Sequence, residues 1–287
     1  MDRLPEAVSK ITVPLVSARK QRGEKTVCLT AYDYPAARIA DEAGIDVILT
    51  GDTLGEVVLG YDSTLSVTEE EILHHLKAVR RGVKRALLVA DLPFGSYHVS
   101  DQQAVAATIR YVKEGGAEAV KLEGGRKRAA VIRRIVDAEV PVMGHIGLTP
   151  QSIHALGGHR VQGKTAQAAA DLVADAEAVA EAGAFALVLE GIPRELAALI
   201  TSRLRIPTIG IGAGPECDGQ ILVLHDLLGI TPEPHPKFVR PYANLAEVMR
   251  DAFVRYGDDV REGRFPAEEE SYHWPAAVKD QFARQWV

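Results

Sequence analysis

Between residues 26 and 229 the chain passes eight times through a short, unbroken apolar run that ends in acid, hydroxyl or glycine. The runs are TVCLTAYD (Thr26–Asp33), VILTGD (Val47–Asp52), ALLVADL (Ala86–Leu92) and AVKLEGG (Ala119–Gly125). Four more follow: PVMGHIGL (Pro141–Leu148), ALVLEGI (Ala186–Ile192), PTIGIGAG (Pro207–Gly214) and QILVLHDLLG (Gln220–Gly229). Apolar runs without polar alternation suit the strands of a parallel sheet buried on both faces. The eighth is ambiguous, because its second half also reads as the start of a helix.

The segments between the runs have helical character. AARIADEAG and AATIRYVKEGG each close on glycine, a common helix stop. VTEEEILHHLKAVRRG places Thr68 three residues before Glu71, the spacing of a capping box, and finishes with basic residues and Gly82. TAQAAADLVADAEAVAEAGAF is rich in alanine, the strongest helix former. EAGIDVI, EGGAEAV and EAGAFAL form a loose internal echo of helix, glycine, turn and strand. Eight such units predict a single-domain α/β chain, a closed (β/α)8 TIM barrel over about residues 25–230. An open doubly wound sheet competes, but its nucleotide loop should follow an early strand, where this chain has TAYDYPA. Beyond about residue 231, TPEPHPKFVRPY reads as an extended connection and NLAEVMRDAFVRYGDDVREG as an amphipathic helix. This C-terminal helical extension (about 231–287) is expected to belong to the barrel domain, so that 1–287 is one unit.

Composition excludes several classes. A net charge of −6 gives no electrostatic reason to bind nucleic acid or an anionic membrane. No apolar run approaches the roughly 20 residues of a membrane span. Two cysteines, Cys28 and Cys217, provide no disulfide framework. MDRLPEAVSK lacks the apolar stretch and cleavage site of a signal peptide, and a cytoplasmic protein is expected.

Barrels of this type work at the C-terminal mouth, where strand ends and the following loops meet. The polar residues expected there are Tyr32 and Asp33, Asp52 and Thr53, Asp91, Lys121 and Glu123, His145, and Glu190. Asp52, Asp91 and Glu123 come from three consecutive strands, and neighbouring strands lie about 4.8 Å apart. Either each acid caps the next helix, or the three converge on one hard cation such as Mg²⁺. Three adjacent strands favour the cation. No Cys/His set has zinc spacing.

Glu190 ends an apolar strand with little polar company nearby, a setting that suits a general base. Lys121 and Glu123 alternate and so share one face. Lys121 suits pairing with a substrate carboxylate, and a Schiff base is the alternative. GIGAGPECDGQ lacks the spacing of a dinucleotide loop and reads as a barrel turn. His154 and His159 read as loop residues, His74 and His75 as helix surface, and Arg126–Arg128 as solvating a helix start.

Seven motifs in order carry a resemblance: LTAYDYPAARIADEAG, GDTLG with VLGYDST, LLVADLPFGSY, AVKLEGG, PVMGHIGLTPQS, GGHRVQG and IPTIGIGAGPECDGQILVLHDLLG. Together the chain resembles the ketopantoate hydroxymethyltransferase family from about residue 10 onward. The resemblance implies a Mg²⁺-dependent barrel of the pantothenate and coenzyme A pathway. Such an enzyme moves a hydroxymethyl group from 5,10-methylenetetrahydrofolate to 3-methyl-2-oxobutanoate, giving 2-dehydropantoate and tetrahydrofolate. It also implies site roles. Asp52 and Asp91 match metal ligands that also meet substrate, and Glu123 matches a third acid at the metal. Thr53 and Lys121 match substrate contacts, Glu190 matches the proton acceptor, and His145 matches a mouth histidine of open role. The family usually carries serine where this chain has Thr53, which keeps the hydroxyl and adds a methyl. A homo-oligomer, commonly a decamer, is implied as well. The rival is another Mg²⁺-dependent 2-oxo-acid lyase or mutase of the isocitrate lyase type.

Overall fold

The computed structural model describes residues 9–231 and 236–286. The reading of the first eight residues and the core of the proline-punctuated connection, 232–235, lie outside the described residues. Eight parallel strands pair in chain order and close on themselves as a barrel. They are β1 (Thr26–Thr30), β2 (Val47–Thr50), β3 (Leu87–Asp91), β4 (Ala119–Glu123), β5 (Val142–Gly147), β6 (Ala186–Glu190), β7 (Thr208–Ile211) and β8 (Gly219–Leu222). The helices around and beyond them are α1 (Val13–Arg22), α2 (Tyr34–Glu42), α3 (Glu69–Gly82), α4 (Asp101–Gly115), α5 (Ala129–Asp137), α6 (Ala166–Glu181), α7 (Arg194–Arg203), α8 (Leu245–Arg261) and α9 (Ala276–Trp286). Thr68 and Glu71 form the expected capping box at the start of α3.

Strand parity divides the core in two. One set of alternate residues, including Ala90, Val120, Leu122, Ile146 and Leu187, packs outward under the helices. The other, including Leu49, Val89, Met143, Val188, Ile209 and Ile221, fills the barrel interior. α1 and the residues just before it lie across the N-terminal ends of the strands and add Val16 and Ile11 to that inner core. Ion pairs hold the segment there: Lys10 to Glu118 before β4, Arg19 to Asp46 before β2, and Lys20 to Asp218 before β8.

Two details differ from the sequence expectation. The eighth apolar run divides, with β8 ending at Leu222 and a short helix, Leu224–Leu228, stopped by Gly229 at φ 65°. Leu224 turns its N–H away from the ladder to the Thr30 hydroxyl (2.9 Å), so periodicity alone could not place the break. Asp33 does not reach the mouth. Its exposed carboxylate accepts the Ala36 N–H (2.8 Å) and caps α2. The glycine-rich segment after β7 is a turn, with Gly212 and Gly214 at positive φ. Beyond the barrel, α8 exposes Val248, Phe253, Val254 and Tyr256.

Candidate active site

The inward rows of β3, β4, β5 and β6 are apolar below and ionisable at their upper ends. Leu87 and Val89 lead to Asp91, Ala119 to Lys121 and Glu123, Met143 to His145, and Ala186 and Val188 to Glu190. Register then decides who meets whom. Asp91 is level with Lys121, and Glu123 with His145. Lys121 Nζ donates to both Asp91 oxygens (2.8 and 2.9 Å) and lies 3.9 Å from Glu123 Oε1. His145 sits between two acids, Nδ1 3.4 Å from Glu123 Oε1 and Nε2 3.2 Å from Glu190 Oε2. Neither ring nitrogen is aligned for a hydrogen bond, so charge carries both contacts.

Asp52 arrives from the turn after β2. Gly51 takes the inward slot, and the Asp52 N–H donates to Asp91 Oδ2 (3.2 Å). Thr53 stands at the N-terminal boundary of the short helix Leu54–Val57, yet its hydroxyl caps nothing and lines the cavity. Gly147 is level with Glu190. Its φ is 98°, and a Cβ there would lie 2.2 Å from the Glu190 carbonyl oxygen. A side chain at 147 would displace the backbone that aims Glu190.

Asp52, Thr53, Asp91, Lys121, Glu123, His145 and Glu190 line one cavity of about 180 Å³. Leu49, Val188, Ile211 and Ile221 give it an apolar wall, and Glu56, His159 and Asp226 stand in its lining too. No spacing in the sequence singles out Glu56 or Asp226, and His159, which reads there as an ordinary loop residue, reaches the mouth. Asp226 lies on the helical second half of the ambiguous eighth run. His154 falls on the short helix Ile153–Leu156. His74 is exposed, whereas His75 is half-buried with Nδ1 2.6 Å from the Tyr32 carbonyl oxygen. Arg126 reaches α6, pairing with Asp171 and Asp175.

The missed residue nearest the acids is Gln151, on the turn Pro150–Ser152 after β5. Its Nε2 donates to Asp52 Oδ2 (2.8 Å) and to the Leu92 carbonyl (3.0 Å), and its N–H to Glu123 Oε2 (3.1 Å). A lone glutamine in a loop has no spacing signal to reveal it.

Crowding sets the electrostatics. Burial, with Asp91 and Glu123 close by, pushes the Asp52 carboxyl well above the usual carboxylate range. Burial opposes the Lys121 charge, but Asp91, Glu123 and Asp52 outweigh it and hold the ammonium above its ordinary value. A lysine so held is a cation for pairing and not a free amine for a Schiff base. Burial would also raise Glu123, yet His145, Lys121 and the Gln151 N–H keep it below the usual range.

Burial disfavours a charged His145, but the flanking Glu123 and Glu190 raise its pKa from 6.5 to about 9. The folded state therefore holds this proton more tightly than the unfolded chain. The stabilisation is fully present below pH 6.5 and fades as pH rises through about 9. Thermal melts in EDTA should show the midpoint falling between those limits, and His145→Gln should flatten that slope. An equal slope in the variant would remove His145 as its source.

Among the described residues no three His, Cys, Asp or Glu side chains form a ready ligand set. Lys121 stands between Asp91 and Glu123. The donor chemistry nevertheless fits a hard divalent cation. Asp52 and Asp91 are buried oxygen donors one hydrogen bond apart, and six acids share the cavity with Lys121 and His145. Asp52 Oδ1 accepts no hydrogen bond from any described residue, and is free for a ligand.

Comparison with known proteins extends this picture. Residues 10–268 match the family model described as ketopantoate hydroxymethyltransferase. The 3-methyl-2-oxobutanoate hydroxymethyltransferase of Koribacter versatilis is 56% identical over 267 residues, covering 93% of this chain and 90% of the relative. That of Moorella thermoacetica is 56% identical over 264 residues, covering 92% and 98%. Among solved structures, phosphonopyruvate hydrolase complexed with oxalate and Mg²⁺ superposes with a TM-score of 0.58 at 14% identity, over 95% of this chain and 96% of that one. 2,3-Dimethylmalate lyase, a PEP mutase/isocitrate lyase superfamily member, gives 0.56 at 17%, over 95% and 98%. These two likenesses concern the barrel alone.

Proposed function

Because the chain belongs to the ketopantoate hydroxymethyltransferase family, we propose that its mouth cavity joins a one-carbon unit to a branched 2-oxo acid. The donor is 5,10-methylenetetrahydrofolate, the acceptor 3-methyl-2-oxobutanoate, and the products 2-dehydropantoate and tetrahydrofolate. The observation that carries this is the juxtaposition of Glu190 and Lys121 with an apolar wall in one cavity.

Asp52 and Asp91 would hold a Mg²⁺ ion, with Glu123 as the third acid beside them. The chemistry supplied by that ion when bound is polarisation of the substrate's 2-oxo group. Lys121 spends two of its three N–H donors on Asp91, and the third is left for the substrate carboxylate. The unpartnered Thr53 hydroxyl orients the same end. Leu49, Val188, Ile211 and Ile221 receive the two methyl groups. Glu190 then takes the C3 proton, and His145 at 3.2 Å keeps the carboxylate in place. Water adds to the methylene carbon of the folate, which occupies the cavity beside Glu56, His159 and Asp226. The C–N bonds of that carbon break with both nitrogens protonated, giving tetrahydrofolate and a formaldehyde-level one-carbon unit. C3, now nucleophilic, bonds to that carbon, and its oxygen takes back the proton held on Glu190 to become the hydroxyl of 2-dehydropantoate.

The proposed catalytic residue is thus Glu190, with Asp52, Thr53, Asp91 and Lys121 at the substrate and Asp52, Asp91 and Glu123 at the metal. The exposed apolar residues of α8 support assembly into a homo-oligomer, a decamer in this reading. Among the described residues no helix is long and apolar enough to cross a membrane.

Proton NMR of 3-methyl-2-oxobutanoate in D₂O tests the proposal. With enzyme and Mg²⁺, the C3 signal should vanish and the methyl doublet lose its splitting without any folate present. Adding methylenetetrahydrofolate should then yield product. A C3 proton that persists with and without Mg²⁺ would reject the assignment, and an isocitrate-lyase-type reaction would replace it.

A further inference from the structure

We infer that Gln151, locked by Tyr97, is a positioning residue that decides which oxygen of Asp52 is offered to the bound cation. This rests on the metal assignment proposed above and adds a residue to it.

Gln151 and Tyr97 are both buried, at 4% and 3% exposure. The orientation of the glutamine amide follows from its neighbours. One end lies 3.0 Å from the Leu92 carbonyl, which can only accept, so that end is the NH₂ group. Its second N–H is the one directed at Asp52 Oδ2 (2.8 Å). The opposite end, Oε1, receives the Tyr97 hydroxyl (2.6 Å). Tyr97 in turn accepts the Glu123 N–H (3.2 Å), and of the two acceptors before its own proton the glutamine oxygen at 2.6 Å is much nearer than the Glu123 carbonyl at 3.3 Å. Every polar atom of the amide is therefore committed, and a flip would set NH₂ against the hydroxyl proton and oxygen against two acceptors.

The consequence falls on Asp52. With Oδ2 held by an N–H, Oδ1 remains as the oxygen available to a ligand. A neutral amide does this without adding charge, whereas a lysine at 151 would repel the cation that the site is to hold. The Gln151 backbone N–H fixes Glu123 Oε2 in the same way (3.1 Å). One turn after β5 thereby aligns acids delivered by β2 and β4. Outer partners of this kind typically change metal affinity by about 10–100-fold.

The test is Mn²⁺ binding to the enzyme alone, read by electron paramagnetic resonance of the free ion, with no substrate and no turnover. Wild type, Gln151→Met, Tyr97→Phe and the double variant are compared. Gln151→Met should weaken Mn²⁺ binding by about 10-fold or more, measured at a temperature where the metal-free variant is still folded. Tyr97→Phe, which keeps the packing, should weaken it less, and the double variant should be no weaker than Gln151→Met, because Tyr97 acts through the amide. Wild-type affinity in Gln151→Met overturns the inference while leaving the proposed function standing. Effects that simply add in the double variant also overturn it, since they would mark two independent structural contacts. If Gln151→Met does not fold, Tyr97→Phe decides alone, and unchanged affinity there overturns the inference. A wild-type protein that binds no Mn²⁺ removes both this role and the metal assignment.

Discussion

Replacing Glu190 by glutamine is expected to stop deuterium exchange at C3 of 3-methyl-2-oxobutanoate while leaving divalent-cation binding at its wild-type level. The two readouts separate because the residue stands apart from the metal acids. Glu190 approaches His145 (3.2 Å) on β6, whereas Asp52 and Asp91 meet each other on the β2 and β3 side of the barrel. An amide is nearly the size of a carboxylate but cannot accept the proton in the transition state. Loss of a positioned general base costs about 10²–10⁴ in rate. The exchange rate should drop by that factor under Mg²⁺ saturation, with Mn²⁺ titration unchanged. Exchange surviving at the wild-type rate would take the role of base from Glu190.

Lys121→Met should produce the largest change in stability. The ammonium is buried and pairs bidentately with Asp91, with Glu123 3.9 Å away. Removing it strands the buried Asp91 without its countercharge, while Glu123 keeps His145, and breaking a buried pair in this way costs about 3–5 kcal/mol. The loss should be greatest near neutral pH and shrink as pH falls, because burial raises the Asp91 carboxyl and the orphaned group can take up a proton and shed its charge. Urea denaturation of both proteins at neutral and at mildly acidic pH measures the difference. A pH-independent loss would point to packing, not charge. The variant should also bind the oxo acid poorly, and borohydride treatment of the wild type with substrate should trap no adduct.

The barrel was legible because its strands are buried on both faces, and runs such as ALLVAD and FALVLE show this as uninterrupted apolar residues. The eighth run failed the same test. VLHDLLG stays apolar after the ladder ends, and only the Leu224 N–H turning to Thr30 marks the change to helix. Acids at the ends of β3, β4 and β6 could be read from parity, since they continue rows that begin with interior aliphatic residues. Asp33 and Asp52 look alike in sequence, each following its strand closely. One caps a helix in solvent and the other is buried against Asp91, a difference set by loop geometry. The His145 contacts needed the register of β5 against its neighbours. Gln151 needed three-dimensional convergence, because its partners lie 28 to 99 residues away along the chain.

With α1 stoppering one end and aliphatic side chains filling the bore, the described residues leave this barrel one doorway, at its C-terminal mouth. Two reactants that share a doorway must queue. In the proposed reaction the small acid seated against Lys121 would therefore go in before the bulky folate, and its product would come out only after tetrahydrofolate has cleared the mouth.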